Sequence, residues 1–237
     1  MKKNFRAEAP FWNLFPDVEI AVIVAEDINN HENDKIPANL LEKANCQAIK
    51  WIPDNPISSN DVISDWRKAF QKFKTKKGAR CAVESLLKRA KQGKGVTSIN
   101  PIVDVYNSVS LNWAFPVAGE DLAKIEGDIR LTVASGGEKF WPIGEKEEQE
   151  AMPNEVIYTD DHSILSRCWS WRDSARVEVT ENTSDALFYM ENVNPKRQND
   201  HRKAVAELQT KLKQYFNCDS QVGYITKNSP SILLLTK

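Results

Sequence analysis

The sequence has few of the residues and motifs that mark cofactor-dependent enzymes and membrane proteins. Its 237 residues include 9 glycines and 3 histidines, and they contain no Gly-rich phosphate loop, no HExxH zinc helix and no GxSxG nucleophile turn. No apolar run approaches the ~20 residues that a membrane helix needs. We therefore expect a protein with no membrane span, no cofactor and no metal.

The cysteines are too far apart in sequence for a metal site. None has a second Cys or a His at ligand spacing, and the four are Cys46, Cys81, Cys168 and Cys218. Unpaired thiols are typical of the reducing cytosol, so the sequence predicts a cytoplasmic protein. Cys168 lies close in sequence to His162 and Arg172, which leaves a reactive thiol open as an alternative.

Charge is segregated along the chain, although the net charge is only −1. Eleven Lys and Arg residues and one Glu lie between residues 67 and 94, which gives this stretch a local charge of +10. Such a stretch can attract a polyanion, but lysine-rich helices are equally often solvated faces. We treat residues 61–94 as a basic helical arm.

Hydrophobic periodicity predicts both helices and strands. A β-branched run at residues 18–25 predicts a buried strand, and apolar residues at helical spacing predict helices after residue 60, after Pro101 and after Pro195. From residue 129 onward the period becomes two, and residues 222–226 and 231–235 resemble a closing hairpin. The predicted fold is one α+β domain over residues 1–237, with layered, mostly antiparallel, sandwich-like sheets and flanking helices.

Two polar clusters are candidate catalytic groups. Asn100, Asp104 and Asn107 lie on the first turns of the helix that begins at Pro101, and Asp160 and Asp161 follow a predicted strand. Amide and carboxylate groups at such places can hold an amino group or a water molecule. They are also the residues expected at helix caps and turns.

A tryptophan pair is the candidate binding surface. Trp169 and Trp171 are two residues apart in a predicted strand at residues 164–171, so they would face the same side. They could stack on a base or an amino-acid side chain, with Arg172 binding a phosphate or carboxylate. The alternative is a pair that caps the edge of the core.

Residues 98–107, SINPIVDVYN, resemble the editing domain of the phenylalanyl-tRNA synthetase beta subunit, also called its tRNA-binding domain, where the pattern is SINPxVDVTN. Weaker similarities follow in the same order: FPVAGED at 115–121, GDIR at 127–130, VIYTDD at 156–161 and residues 183–187. The resemblance covers residues 95–191. It implies a free-standing tRNA-binding protein that hydrolyses mischarged aminoacyl-tRNA, without the synthetase's catalytic module.

The resemblance also implies substrate-binding positions, most of which differ here. The family's pocket arginine aligns with Thr97, its histidine with Ala118, its paired glycines with Asp173 and Ser174, and its glutamate with Tyr189, while Glu191 lies two residues further on. The aminoacylated 3′ end of tRNA is the implied partner. The cations of the basic helical arm expected to bind the tRNA are Lys72, Lys74, Lys76, Lys77, Arg80, Lys88, Arg89, Lys91 and Lys94.

Two other functions stay open at this stage. The replaced pocket residues favour a non-catalytic module that binds tRNA or an amino acid, and a small-molecule enzyme that reuses the pocket is a third possibility. The sequence does not specify the amino acid, the tRNA or the oligomeric state. The hydrolase hypothesis requires that residues 100–107 and the tryptophan segment near residue 170 line a shared cavity.

Overall fold

The computed structural model describes residues 2–31 and 33–235, which form stacked layers of sheets and helices. The strands are β1 (Lys2–Ala7), β2 (Glu19–Ala25), β3 (Val117–Asp121), β4 (Ile129–Val133), β5 (Lys139–Phe140), β6 (Gln149–Glu150), β7 (Val156–Thr159), β8 (Ile164–Arg167), β9 (Arg172–Asp173), β10 (Ala186–Asn192), β11 (Ser220–Ile225) and β12 (Ser231–Leu235). The α-helices are α1 (Ala9–Leu14), α2 (Leu40–Ala48), α3 (Asp61–Phe70), α4 (Ala82–Lys91), α5 (Pro101–Trp113) and α6 (Gln198–Phe216).

Two sheets form the centre of the fold. A four-stranded antiparallel sheet has the order β11-β2-β10-β3, and a six-stranded sheet has the order β12-β1-β4-β7-β8-β9. In the larger sheet β1 and β4 are parallel, and the other strand pairs are antiparallel. The α+β class with mostly antiparallel layered sheets is therefore confirmed. β3 and β9 are edge strands, one in each sheet.

The four-stranded sheet is buried on both faces. Along β2, Ile20, Val22 and Val24 pack in the main core, which also holds side chains of the six-stranded sheet. The intervening Ala21 and Ile23 pack in a second core with α5 and α6. Burial on both faces explains why this strand has a continuous apolar run instead of an alternating one.

The basic helical arm, residues 61–94, forms α3 and α4 and the loop between them. Both helices bury apolar side chains in the main core, among them Trp66, Phe70 and Leu87. The basic residues therefore lie on the outer sides of α3 and α4, which pack against the main core.

Several predicted elements differ from the structure. The last two strands are not a closed hairpin, because β11 pairs with β2 while β12 pairs with β1 in the other sheet. Strand β1 was missed, since its polar residues Lys2, Lys3 and Asn4 gave no apolar signal. The pattern of period two predicted from residue 129 onward is interrupted by a 3-10 turn at Ala175–Val177.

Within the described residues, no helix has the length and apolarity to cross a membrane. The same residues contain no cluster of His, Cys, Asp or Glu that could hold a metal ion. The four cysteines are free thiols, three of them buried. Burial raises the pKa of the Cys168 thiol to about 12, which contradicts the reactive-thiol alternative, because reactivity requires the thiolate.

Candidate functional site

Asn100 and Pro101 begin α5 as the sequence predicted. The side chain of Asn100 accepts a hydrogen bond from the Val103 amide at 3.2 Å, and its own amide donates to the Val179 carbonyl at 3.1 Å. The Asn30 amide also donates to Asn100 Oδ1. Asn100 is therefore a helix cap that ties three segments together, with both of its polar atoms engaged. These hydrogen bonds favour the capping role of Asn100, and its catalytic role stays a prediction.

An open groove of about 930 Å³ lies at the start of α5. We call it the α5 groove. Its lining comprises side chains from residue 31, residues 33–41, residues 96–101, Asp104 and Glu181. It brings together three of the predicted site residues, Thr97, Asn100 and Asp104. Asp104 accepts hydrogen bonds from Ser98 Oγ and the Ile99 amide, so its carboxylate holds the segment before α5 in place. Asn107 is buried further along the helix and is not part of the lining.

Four carboxyls act electrostatically on Tyr106 of α5, the helix whose start lines the groove. Tyr106 of α5 packs against Gly119 of β3, and Glu120 of the same strand pairs through its backbone with Glu178. The pKa of the Tyr106 hydroxyl is raised, first by burial and then by the negative charges of Asp173, Glu120, Glu178 and Asp104. We call these four carboxyls the acidic edge. Of these four carboxyls, Asp104 also lines the α5 groove, and Glu120, Asp173 and Glu178 do not.

The pKa values of two carboxyls of the acidic edge are raised. Glu120 is fully buried, and burial followed by the charge of Asp173 raises its pKa well above its usual range. Burial raises the pKa of the Asp173 carboxyl to about 6. Tyr189 Oη donates to Glu120 Oε1 at 2.9 Å, whereas Glu120 Oε2 is buried and has no hydrogen-bond partner. A buried carboxylate oxygen without a hydrogen-bond donor is costly, so burial favours the protonated form of Glu120.

A second polar pair lies deeper between the sheets. Tyr158 Oη donates to Glu191 Oε1 at 2.9 Å, and the rings of Tyr158 and Tyr189 lie 4.3 Å apart. Burial raises the pKa of Glu191 to about 8. Ala118, opposite Tyr189 in the sheet, is also buried. Two tyrosine rings thus occupy the space next to the position where the family has its histidine.

The tryptophan strand predicted at 164–171 is wrong. β8 ends at Arg167, and Cys168 and Trp169 adopt left-handed backbone angles with φ of 46° and 61°. The resulting turn inserts Trp169 into the main core, where its ring packs 4.6 Å from that of Phe15 and 5.0 Å from that of Trp66. Trp169 is fully buried and presents no face to a substrate. Residues 169–173 do not line the α5 groove, so the predicted shared cavity is not formed by the tryptophans.

The residues after this turn lie at the surface beside the acidic edge. The Arg172 guanidinium stacks 5.1 Å from the ring of Trp171 and forms an exposed ion pair of 2.6 Å with Glu145. Trp141 is 48% exposed, and its carbonyl accepts from the Ala175 amide at 2.8 Å. Trp141 was not among the site residues predicted from the sequence. Its exposure could have been inferred from its position next to a proline and a Gly-containing loop.

The two consecutive aspartates have different roles. Asp160 is buried and accepts from three backbone amides, those of Glu126, His162 and Ser163, and also from Arg176 at 2.6 Å. With its oxygens engaged, Asp160 organises a loop, and its catalytic role stays a prediction. Asp161 is exposed and pairs with Arg130.

The cations of the basic helical arm fall into two groups. Lys72, Lys74, Lys76, Lys77 and Arg80 surround the loop after α3, where the Lys76 amide contacts Cys168. Lys88, Arg89, Lys91 and Lys94 lie at the end of α4, next to the chain that enters the α5 groove. Some already have partners: Arg80 pairs with Glu84, and Lys91 donates to the carbonyls of Ile52 and Asp54.

Comparison with known proteins gives a consistent set of relatives. Residues 65–221 match the B3/4 domain family. The phenylalanine–tRNA ligase beta subunit of Nocardia farcinica is 33% identical over 101 residues, which are 43% of this chain and 12% of that protein. The corresponding subunit of Vibrio parahaemolyticus is 36% identical over 94 residues, 40% of this chain and 12% of that protein. The matched part of the chain therefore spans about an eighth of the length of these curated relatives.

A solved structure is also similar. It is an N-terminal fragment of the phenylalanyl-tRNA synthetase beta subunit from Pyrococcus horikoshii, with a TM-score of 0.47 and 11% identity, covering 91% of this chain and 49% of that chain. The family match spans well over half of the chain and contains the SINPIVDVYN motif that carried the resemblance. The resemblance is confirmed, and the chain belongs to the B3/4 domain family.

Proposed function

We propose that this protein binds the acylated 3′ end of tRNA in the α5 groove and hydrolyses the ester of a mischarged aminoacyl-tRNA. The cavity shared with the tryptophan segment, which the sequence-based hypothesis required, is not formed by the described residues, so this proposal depends on the α5 groove alone. One observation carries the proposal: the segment that bears the family motif, residues 98–104, forms a wall of the groove. The relatives named above are subunits of a tRNA ligase, which supports tRNA as the partner.

The chemistry assigned to the site is attack of water on the ester carbonyl. With a pKa of about 6, Asp173 is ionised at neutral pH and suits the role of general base. Tyr106 stays protonated, because its pKa is raised, and its hydroxyl is the donor to the developing oxyanion. The bond between the carbonyl carbon and the ribose oxygen breaks, and the leaving ribose oxygen takes up the proton that Asp173 removed from the water. The neighbouring hydroxyl of the terminal ribose can assist.

Other predicted residues take supporting roles. Asp104 positions the segment before α5, and Thr97 is an exposed part of the groove wall. We assign stacking of the terminal adenine to Trp141 instead of Trp169, because Trp141 is exposed beside the acidic edge. Arg172 is available to a phosphate, since its pair with Glu145 is exposed and therefore weak.

The alternative function is a binding module without turnover. It is favoured by the structural use of Asn100 and Asp160, which engages two of the predicted catalytic groups in hydrogen bonds, and by the tyrosine rings packed near Ala118. The positions aligned with the family pocket would then contribute to recognition alone, through Tyr189 and Glu191.

The deciding experiment is a deacylation panel under single-turnover conditions. One tRNA transcript is charged with different amino acids, and release of each amino acid is followed with the wild type, Asp173→Asn, Tyr106→Phe and the exposed control Glu148→Gln. We expect hydrolysis of at least one ester, a fall of ~100-fold in Asp173→Asn and no change in the control. Binding of acylated tRNA without turnover of any ester would favour the alternative function. Failure to bind at low salt would reject both, because phosphate contacts strengthen as salt falls.

A further inference from the structure

We propose that a trough lined by lysines, at the opposite end of strands β2 and β10 from the α5 groove, binds the sugar–phosphate backbone of the tRNA body. This inference rests on the proposed function and names a second contact surface for the same partner. The trough binds the paired part of the tRNA, whereas the α5 groove receives the acylated end.

Two neighbouring cavities form the trough. Their volumes are about 360 and 290 Å³, and residues 16–18 and Pro195 line both of them, so they form one continuous depression. One wall is the end of α3, and the facing wall is the segment that joins β10 to α6. The turn between β11 and β12 contributes residues 226–228. We call this depression the lysine trough.

Lysines from three separate segments line it, and they are Lys68, Lys72, Lys196 and Lys227. Lys68 is 71% exposed and lies 3.6 Å from a carboxylate oxygen of Asp65. The ammonium of Lys72 contacts a backbone carbonyl and an aromatic ring instead of a carboxylate. Lys196 and Lys227 are exposed and have no carboxylate partner within residues 2–31 and 33–235. Two of these cations are therefore supplied from outside the basic helical arm.

The carboxylates of the lysine trough do not cancel this charge. Glu19 is 7% exposed and accepts from a buried histidine and from Arg202 at 2.5 Å, so it is already neutralised. Asp65 accepts from the Asn194 amide at 2.7 Å. Asp17 is exposed and has no partner in the part of the chain that the structure describes. With Glu19 set aside, four lysines face two carboxylates, and the resulting positive charge attracts a polyanion.

The rest of the lining suits a paired nucleic acid. Side chains of Gln198, Thr226 and Asn228 line the same space. Such amide and hydroxyl groups, together with lysine, make most hydrogen bonds to phosphate and sugar. Among the described lining residues, the one aromatic side chain is Phe15, which is 4% exposed. Unpaired bases bind to exposed aromatic rings, so the lysine trough fits the outside of a duplex instead.

The distance between the two sites fits one tRNA. Strands β2 and β10 pair along their whole length, with Glu19 opposite Asn192 at the trough and Ala25 opposite Ala186 at the other end. Beyond that other end, both chain segments lead into the lining of the α5 groove. Six strand intervals span about 20 Å. A stacked strand rises about 3.4 Å per nucleotide, so the trough lies about six or more nucleotides from the acylated end.

The test compares two RNAs with the same 3′ end, each joined to its amino acid by an amide that cannot be hydrolysed as an ester. One is the full tRNA transcript, and the other is a strand of its last three nucleotides, which spans only about 10 Å when stacked. Affinities are measured across a salt series for the wild type, for Lys68→Ala, Lys196→Ala and Lys227→Ala combined, and for the control Lys213→Ala. We expect the triple variant to bind the full tRNA at least about tenfold more weakly, with a salt slope lower by about 2 to 3. Its affinity for the short strand should equal that of the wild type, and Lys213→Ala should match the wild type on both RNAs.

A variant with the opposite sign of effect guards against misfolding. Asp17→Asn removes the unpaired carboxylate of the lysine trough, so binding of the full tRNA should tighten by about threefold while binding of the short strand stays unchanged. A loss of folded protein cannot produce this gain. Unchanged or weaker tRNA binding in Asp17→Asn would contradict the proposal.

The outcomes separate this inference from the proposed function. Unchanged tRNA affinity in the triple variant, or an equal loss for both RNAs, overturns the lysine trough and leaves hydrolysis in the α5 groove intact. If the wild type hydrolyses no ester but the loss is confined to the full tRNA, the hydrolase fails and the trough stands. Vesicles of anionic lipid that bind through the same lysines, with tRNA affinity unchanged, would assign the trough to a membrane surface and overturn the proposal.

Discussion

The ring of Tyr106 on α5 lies against the bare α-carbon of Gly119 on the edge strand β3. A β-carbon at position 119 would stand 2.9 Å from Tyr106 Cε1 and 3.2 Å from Phe188 Cδ1. The lack of a side chain at this position lets the helix bring the phenol to the end of the sheet, among the carboxyls of the acidic edge.

Replacing this glycine tests the position of the phenol. In Gly119→Ala the ring must move, so we expect deacylation to fall by about tenfold and the free energy of unfolding to fall by ~1–3 kcal/mol from overpacking. Tyr106→Phe is the matched variant, which keeps the ring and should lose rate without loss of stability. Rates and thermal midpoints of both proteins are measured together. A Gly119→Ala protein with the wild-type rate would show that the hydroxyl position is irrelevant.

The catalysed rate should depend on pH through Asp173. A general base must be ionised, and its pKa is raised to about 6, so the rate should rise about tenfold per pH unit below 6 and level off above it. The spontaneous hydrolysis of the ester is measured in parallel and subtracted. If the pH–rate profile of the residual Asp173→Asn activity changes slope at the same pH, the titrating group is not Asp173.

Stability should fall as pH rises because of Glu191. The carboxyl has an ordinary pKa of 4.5 and a folded pKa of about 8, so the folded protein holds the proton more tightly between these values. Its contribution to the free energy of unfolding is complete below pH 4.5 and is lost as pH rises through 8. In Glu191→Gln the thermal midpoint should decline by several degrees less than in the wild type between pH 6 and 9. The exposed control Glu148→Gln should follow the wild type; an identical decline in all three proteins would refute the assignment.

Breaking the buried pair of Arg167 and Glu155 should be strongly destabilising. These side chains are 2% and 0% exposed, and two hydrogen bonds of 2.7 and 2.8 Å join them. Glu155→Ala leaves a buried guanidinium unpaired, so we expect a loss of roughly 3–5 kcal/mol in denaturant unfolding. Glu145→Ala breaks the exposed pair with Arg172 and should cost less than ~1 kcal/mol. Similar losses in both variants would contradict this account.

The exposed lysines near the loop after α3 should contribute to tRNA affinity. Each of Lys72→Ala, Lys74→Ala and Lys77→Ala should reduce the slope of log affinity against log salt by up to about 1, since each removes one phosphate contact. Lys213→Ala on α6 is the control, because Lys213 is exposed and pairs with Asp219. Filter binding across a salt series measures these slopes. Unchanged slopes in all three lysine variants would show that the tRNA binds another face of the protein.

The sequence was sufficient for elements whose signal is local. The cap and proline of α5, the buried stripe of α6 and the doubly buried strand β2 all follow from short-range pattern, and each is present. The family motif also predicted one wall of the groove. Pairing between distant strands has no local signal, so the separation of β11 from β12 into two sheets was not predictable.

The remainder of the site depends on tertiary contacts. Trp169 resembled a strand residue because the left-handed turn that buries it has no glycine to mark it. In the sequence, Glu120 is an ordinary polar residue. Its environment depends on the position of β3 at the edge of one sheet, where the charge of Asp173 from the other sheet acts on it. Likewise, the hydrogen bonds that occupy Asn100 and Asp160 are made to segments up to 79 residues away, which no motif encodes.

The central claim is that the α5 groove receives the acylated end of tRNA. A tRNA with a photoreactive adenosine at its 3′ terminus, irradiated in complex with the protein and mapped by mass spectrometry, tests this most directly. We predict crosslinks within residues 31–41, 96–104 or around Trp141, and their loss in excess unlabelled tRNA. Crosslinks confined to α6 or to the β11–β12 side of the sheets would contradict the claim.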